Sequence, residues 1–198
     1  MNKSIIIQIL LVVLLIILIY YFDKISKSEA IYVKSRLNNK EYLVQNLENK
    51  EEATYMLSII HKRIFILRDY LEKNIDKYPE FMEYIKQFCN RINNLVLLEN
   101  APDGKYTSYT VNKGDEIALC LRSRKNGELH DLNLIMYVVL HELAHVACPE
   151  IDHTELFKKI FIFFLNMAIL LKIYKKIDYQ KYPHEYCGLT INENLLKN

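Results

Sequence analysis

Between Ile5 and Phe22 every residue except Gln8 is apolar or aromatic, and this 18-residue run limits what the chain can fold into more than any other feature. As a helix it would span roughly 27 Å at about 1.5 Å per residue, close to the thickness of a bilayer core. A helix without a polar face has to be covered, by protein or by lipid. Tyr20, Tyr21 and Phe22 close the run and Asp23 and Lys24 follow, which puts amphipathic rings where a membrane-water interface would lie. The run is longer than the apolar core of a cleavable signal, and no small-residue cleavage site follows it. The expectation is an uncleaved, single-pass membrane anchor over residues 1–27 and a folded domain over residues 28–198. Lys3 precedes the span, whereas Lys24, Lys27, Lys34 and Arg36 follow it, so the positive-inside rule directs the domain to the cytosol.

The remainder is ordinary folding material. Hydrophobic residues make up 51% and charged residues 25% of the 198, which excludes a disordered chain. Lys and Arg number 26 against 24 Asp and Glu, a net charge of +2, far from the field of a dedicated nucleic-acid binder. Cys89, Cys120, Cys148 and Cys187 are scattered without a C-x-x-C pair, so the reading is four unpaired thiols in a reducing compartment.

Residues 28–50 read as a linker passing into helix. Beyond them Leu57, Ile60, Ile64, Leu67, Leu71 and Ile75 recur at helical spacing, and Pro79 divides the stretch into two amphipathic helices. Residues 101–104 carry turn chemistry. Residues 106–111 and 117–121 read as the strands of a hairpin, and Asn126-Gly127 marks another turn. A strongly apolar helix then follows from Leu132 to Ala147, with Asp131 as its N-cap and Pro149 as its stop.

Within that helix lies His141-Glu142-Leu143-Ala144-His145. The two histidines are one turn apart on one face, so both imidazoles reach one Zn²⁺ while Glu142 stands beside it as the general base for a zinc-activated water. A catalytic zinc takes a third protein ligand, for which His153 is the leading candidate, with Cys148, Asp152 and Glu155 as alternatives. Asp152-x-x-Glu155 reads as a capping box that puts His153 in the first turn of the next helix.

These residues bring out a resemblance. His141-Glu142-Leu143-Ala144-His145, followed after seven residues by His153-Thr154-Glu155-Leu156-Phe157, resembles the WLM-type zinc metalloproteases related to SprT proteins and to DNA-protein crosslink proteases. The similarity is closer to metalloprotease-like proteins of large DNA viruses. It also takes in 42–46, 105–109, 120–123, 131–133 and 186–191. Cellular members carry a shorter gap before the third histidine, and the viral group shares the longer one. The resemblance implies an α+β, zincin-like domain, mostly helical with a small antiparallel sheet, that cleaves protein or peptide substrates. It also implies a strand before the catalytic helix whose free edge holds the substrate backbone, a place that residues 117–121 occupy. An oxyanion helper is expected near the carboxyl terminus, with Tyr186 or His184 as candidates.

Competing readings are a protein that keeps the metal for folding alone, and a DNA-associated protease, against which the near-neutral charge argues. Arg122, Arg124 and Lys125 read as a solvated hairpin end, and His61 and His130 as isolated residues. The apolar stretch 161–171 reads as a core helix with Met167 as filler, because it is too short to span a bilayer.

Overall fold

The structure, a computed structural model, describes residues 3–26, 30–101, 106–193 and 195–196. The junction expected at 27–28 and most of the turn expected at 101–104 lie outside the described residues. The amino-terminal run is helix α1 (Lys3–Ser26), and its apolar side chains from Ile5 to Phe22 are all exposed.

Residues 30–45 form a hairpin, β1 (Ala30–Lys34) and β2 (Glu41–Gln45), in place of the expected linker and helix. Val33 is buried between exposed Tyr32 and Lys34, and Tyr42 and Val44 are buried on either side of the partly exposed Leu43. The operative period is therefore two, which a search for three-four spacing misses. Helix α2 (Lys50–Lys73) buries Leu57, Ile60, Ile64, Leu67 and Leu71 along one stripe. It ends at Asn74, ahead of Pro79, and two short 3-10 turns lead into α3 (Met82–Arg91).

The sheet is larger than expected and mixed, in the order β1-β2-β3-β5-β4. Strand β3 (Val96–Glu99) runs parallel to β2 and to β5 (Glu116–Leu119), and β4 (Tyr109–Val111) pairs antiparallel with β5. The expected small antiparallel sheet fails because β3 is a short strand that no turn signal announces. Its parallel pairing depends on the long crossover that α2 and α3 supply. Strand β5 is consequently interior, and the free edge belongs to β4.

Arg122 is buried rather than solvated. Its Nε donates to Glu99 Oε1 at 2.7 Å, and Nη1 donates to Asn49. Glu99 Oε2 accepts from the Gln45 backbone N–H at 2.8 Å, so the buried carboxylate is paired and hydrogen-bonded.

Helices α4 (Leu132–Ala147) and α5 (Glu155–Leu170) pack together and hold much of the core, including Leu140, Leu143, Ile160 and Phe164. Asp131 caps α4 as expected, accepting from the N–H groups of Asn133 and Leu134. The expected Asp152 capping box does not form. Thr154 is the N-cap of α5, accepting from Phe157 N–H at 3.2 Å. Asp152 sits at φ 67°, Glu155 pairs with Lys158 at 2.7 Å, and His153 lies in the loop before the helix.

A closing hairpin, β6 (His184–Tyr186) and β7 (Leu189–Ile191), turns through Cys187 and Gly188, both at positive φ. It returns to the end of β5, where Cys187 forms a disulfide with Cys120 across 67 residues. The reading of four unpaired thiols is thereby corrected: chain return, not local spacing, made the pair. Cys89 and Cys148 are free and buried.

Candidate active site and metal centre

The site is built on the end of α4, which several neighbours fix in place. The Val146 carbonyl accepts from Arg91 Nη1 at 2.7 Å and Gln87 Nε2 at 3.3 Å, and Ala147 O accepts from Gln87 at 3.0 Å. Lys113 Nζ donates to Cys148 O at 3.1 Å and Pro149 O at 3.0 Å. Two cationic donors and the neutral Gln87 amide thus satisfy the orphan carbonyls at the negative end of the helix. Lys113 gets there from the β4–β5 turn, which also carries Gly114 at φ 131°. A side chain at Gly114 would meet Arg91 Cβ and Val146 Cγ1, each at 3.1 Å.

After the end of α4 the chain reverses through Asp152 and brings His153 back over the helix. The Nε2 atoms of His141 and His145 are 3.2 Å apart, those of His145 and His153 3.3 Å, and those of His153 and His141 3.0 Å. Three nitrogens bound at about 2.0–2.1 Å to one tetrahedral ion would be roughly 3.3–3.4 Å apart, so the triangle fits Zn²⁺ closely. The other three candidates stand apart: Cys148 is buried at the helix end, and Asp152 and Glu155 are exposed. Among the described residues, His141, His145 and His153 are the group of His, Cys, Asp or Glu that converges in this way. Beneath them, the Phe157 ring stacks on His145 at 4.2 Å and meets His141 and His153 edge-on at 5.0 and 4.9 Å. One α5 residue therefore supports all three imidazoles.

Burial lowers the His141 pKa to about 3, with His145 and His153 adding to the effect. Burial, with His153 and Lys113, lowers that of His145 to about 4. Both rings are neutral near pH 7, the form that ligates a metal. Glu142 is pushed up to about 7 by burial, against the opposing hydrogen bond from Thr110 Oγ1, which donates to Oε2 at 2.9 Å. A carboxyl group poised there can both take and return a proton. Thr110 lies on β4, so the free sheet edge and the carboxylate are linked directly.

Tyr186 and Ser108 line the same cleft, their hydroxyls 2.6 Å apart. Burial raises the Tyr186 pKa, and the Glu142 charge adds to it, so the phenol keeps its proton. His184, the other expected helper, lies elsewhere: its Nδ1 is 2.9 Å from Tyr182 O and its ring faces Tyr179. Sequence reasoning missed Thr110, Ser108, Lys113 and the role of Phe157, because each acts through a neighbour distant in sequence. The Cys120–Cys187 bridge ties the Tyr186 hairpin to the end of β5, and His130 Nε2 lies 3.3 Å from Cys187 Sγ.

A family model described as the WLM domain matches residues 37–161. An uncharacterized protein of Acanthamoeba polyphaga mimivirus is 65% identical over 197 residues and spans 100% of both chains. Another, from Invertebrate iridescent virus 6, is 25% identical over 173 residues, covering 81% of this chain and 92% of its own. Among solved structures, Wss1 from Saccharomyces cerevisiae is similar with a TM-score of 0.49 at 22% identity, over 66% of this chain and 88% of that one.

Proposed function

Because the chain belongs to the WLM family, a metalloprotease-type family with viral members, we propose that it is a membrane-anchored, zinc-dependent peptidase of zincin-like fold. The observation that carries this reading is the convergence of His141, His145 and His153 beside a buried Glu142 that Thr110 orients. His141, His145 and His153 would hold the zinc, which when bound supplies a Lewis acid for the scissile carbonyl and lowers the pKa of water. The free edge of β4 binds an extended peptide by main-chain hydrogen bonds, which demands little of its sequence. Glu142, beside that edge, accepts a proton from the attacking water and returns it to the leaving amine. The Tyr186 phenol, protonated and directed by Ser108, donates to the oxygen that gains charge in the tetrahedral species.

The test is cleavage of an unfolded protein by the full-length chain in detergent micelles with one equivalent of zinc. Glu142→Gln should keep the metal and lower kcat by at least about 10²-fold. Equal inertness of both zinc-loaded proteins would favour a metal kept for folding alone. His153→Ala should lose zinc on dialysis, because two imidazoles leave the tetrahedral site incomplete.

Helix α1 is the anchor. Transfer of apolar side chains from water at roughly 1.5–3 kcal/mol each makes lipid favourable by on the order of tens of kcal/mol over the whole run. The lysines after the span direct the body to the cytosol, whereas the Cys120–Cys187 disulfide fits an oxidising compartment. Protease digestion of the full-length chain in intact microsomes, with alkylation of both cysteines, reads the two together. A protected body with blocked cysteines would place it on the oxidising side and overturn the charge-based orientation.

A further inference from the structure

The cleft beside the three histidines extends into a recess, and the whole space measures about 450 Å³. Tyr137 and Val138, one turn ahead of His141 on α4, are buried and form one wall. Leu189 and Ile191 of β7, with Thr190 between them, also line the recess. Glu193, exposed just beyond β7, stands in the lining, and among the described residues no lysine or arginine does. Apart from Glu142 and the histidines, the remaining lining residues are uncharged.

Glu193 is close enough to the recess for its charge to act on Tyr137 in the α4 wall. Burial raises the pKa of the Tyr137 phenol, and the charges of Tyr174 and Glu193 add to the effect. Lys158 also feels Glu193, but it is paired with Glu155 at 2.7 Å and stands outside the lining. The recess therefore combines apolar lining from α4 and β7 with the Glu193 carboxylate at its solvent side and Glu142 at its inner end, and among the described residues no lysine or arginine in the lining neutralises them.

Resting on the peptidase reading, we propose that this recess selects the substrate: it takes the side chain flanking the scissile bond and prefers an apolar stem with a cationic head, lysine or arginine. The stem lies between Val138 and Ile191 while the head reaches Glu193 at the solvent side, as long basic side chains do at apolar surfaces. An aliphatic side chain fills the walls and leaves Glu193 to water. An acidic one meets repulsion from Glu193 and Glu142. A partly solvated ion pair gives a modest advantage, roughly two- to fivefold over an aliphatic side chain of the same length.

Peptides differing only at the residues flanking one cleavable bond test this, with lysine, arginine, norleucine or glutamate at each position in turn. With the zinc-loaded full-length chain in micelles, lysine and arginine at one of the positions should exceed norleucine in kcat/KM by that factor. Glu193→Gln should bring the ratio close to one, and Glu193→Lys should turn the preference toward glutamate. Norleucine equal to or better than lysine, or a lysine preference that survives Glu193→Gln, overturns the proposal. Anisotropy of the same peptides, fluorescently labelled, on Glu142→Gln gives the ratio by binding alone. Absence of cleavage of every peptide by the native chain would thus count against the peptidase reading, while the binding ratio still decides the recess.

Discussion

Helices α1 and α4 are both rich in leucine, isoleucine and valine, yet every side chain from Ile5 to Phe22 is exposed while most of α4 is buried. Composition does not separate them; the sparse polar residues do. Helix α4 has Asp131 as a cap, and Arg91, Gln87 and Lys113 to satisfy its last carbonyls. Its His141 and Glu142 line a cleft, and its His145 converges with His141 and His153. Helix α1 has Gln8 alone between Ile5 and Phe22, and no polar group that commits one of its faces to a partner. An apolar helix becomes a core element when its polar positions are answered by neighbours, and otherwise remains a surface left for protein or lipid to cover.

The strongest way to break the comparison is to put the same charge into each helix. Leu140→Asp in α4 places an unpaired carboxylate at a fully buried position and should cost more than about 4 kcal/mol, enough to unfold much of the domain. Leu14→Asp in α1 should leave the thermal unfolding midpoint of the body unchanged and reduce retention in membranes after alkaline carbonate washing. If Leu14→Asp also unfolds the body, α1 packs on it and the contrast collapses.

A smaller effect tests the anchoring of the α4 end. Gly114→Ala forces a side chain into positive φ against Val146 and Arg91, and should cost about 1–3 kcal/mol, lowering Tm by a few degrees. The same variant should weaken zinc retention, because Val146 follows His145 directly.

The smallest effect concerns pH. His61 is buried against Tyr42 and Lys40, and burial, with the Lys40 charge, lowers its pKa from 6.5 to about 4. The unfolded chain takes up a proton that the folded chain refuses, so this contribution is complete above pH 6.5 and is lost as pH falls toward about 4. Solvent screening leaves a loss of the order of 1–2 kcal/mol, visible as a falling urea midpoint whose slope His61→Gln should reduce, the remainder belonging to His141 and His145. Membrane retention through α1 should stay constant over this window, since no Asp, Glu, His, Lys or Arg lies between Ile5 and Phe22.

Much of the site was legible because its chemistry is local. Helical spacing alone places His141 and His145 on one face, and Asp131 and Pro149 mark the helix bounds correctly. His153 stood out by residue type, but the reason offered for its position, a capping box at Asp152, was mistaken: Thr154 caps α5 and Asp152 makes the turn. The strand that precedes α4 was found, yet the free edge was assigned to it because the β3 insertion in the sheet has no local signature.

The sequence by itself determined the features that depend on neighbours three or four residues away. These are the apolar run of α1, the α4 cap, the stripe of α2 and the His-Glu-x-x-His register, because helix periodicity is set by the backbone and not by the rest of the chain. Tertiary structure alone decided which strand is the edge, which cysteines pair, that Arg122 answers Glu99 in the interior, that Thr110 reaches Glu142, and that Ser108 and Glu193 line one cleft. Each of those depends on segments tens of residues apart arriving at the same place, and the free energy that brings them there is the non-directional burial of apolar surface, which leaves no spacing to read.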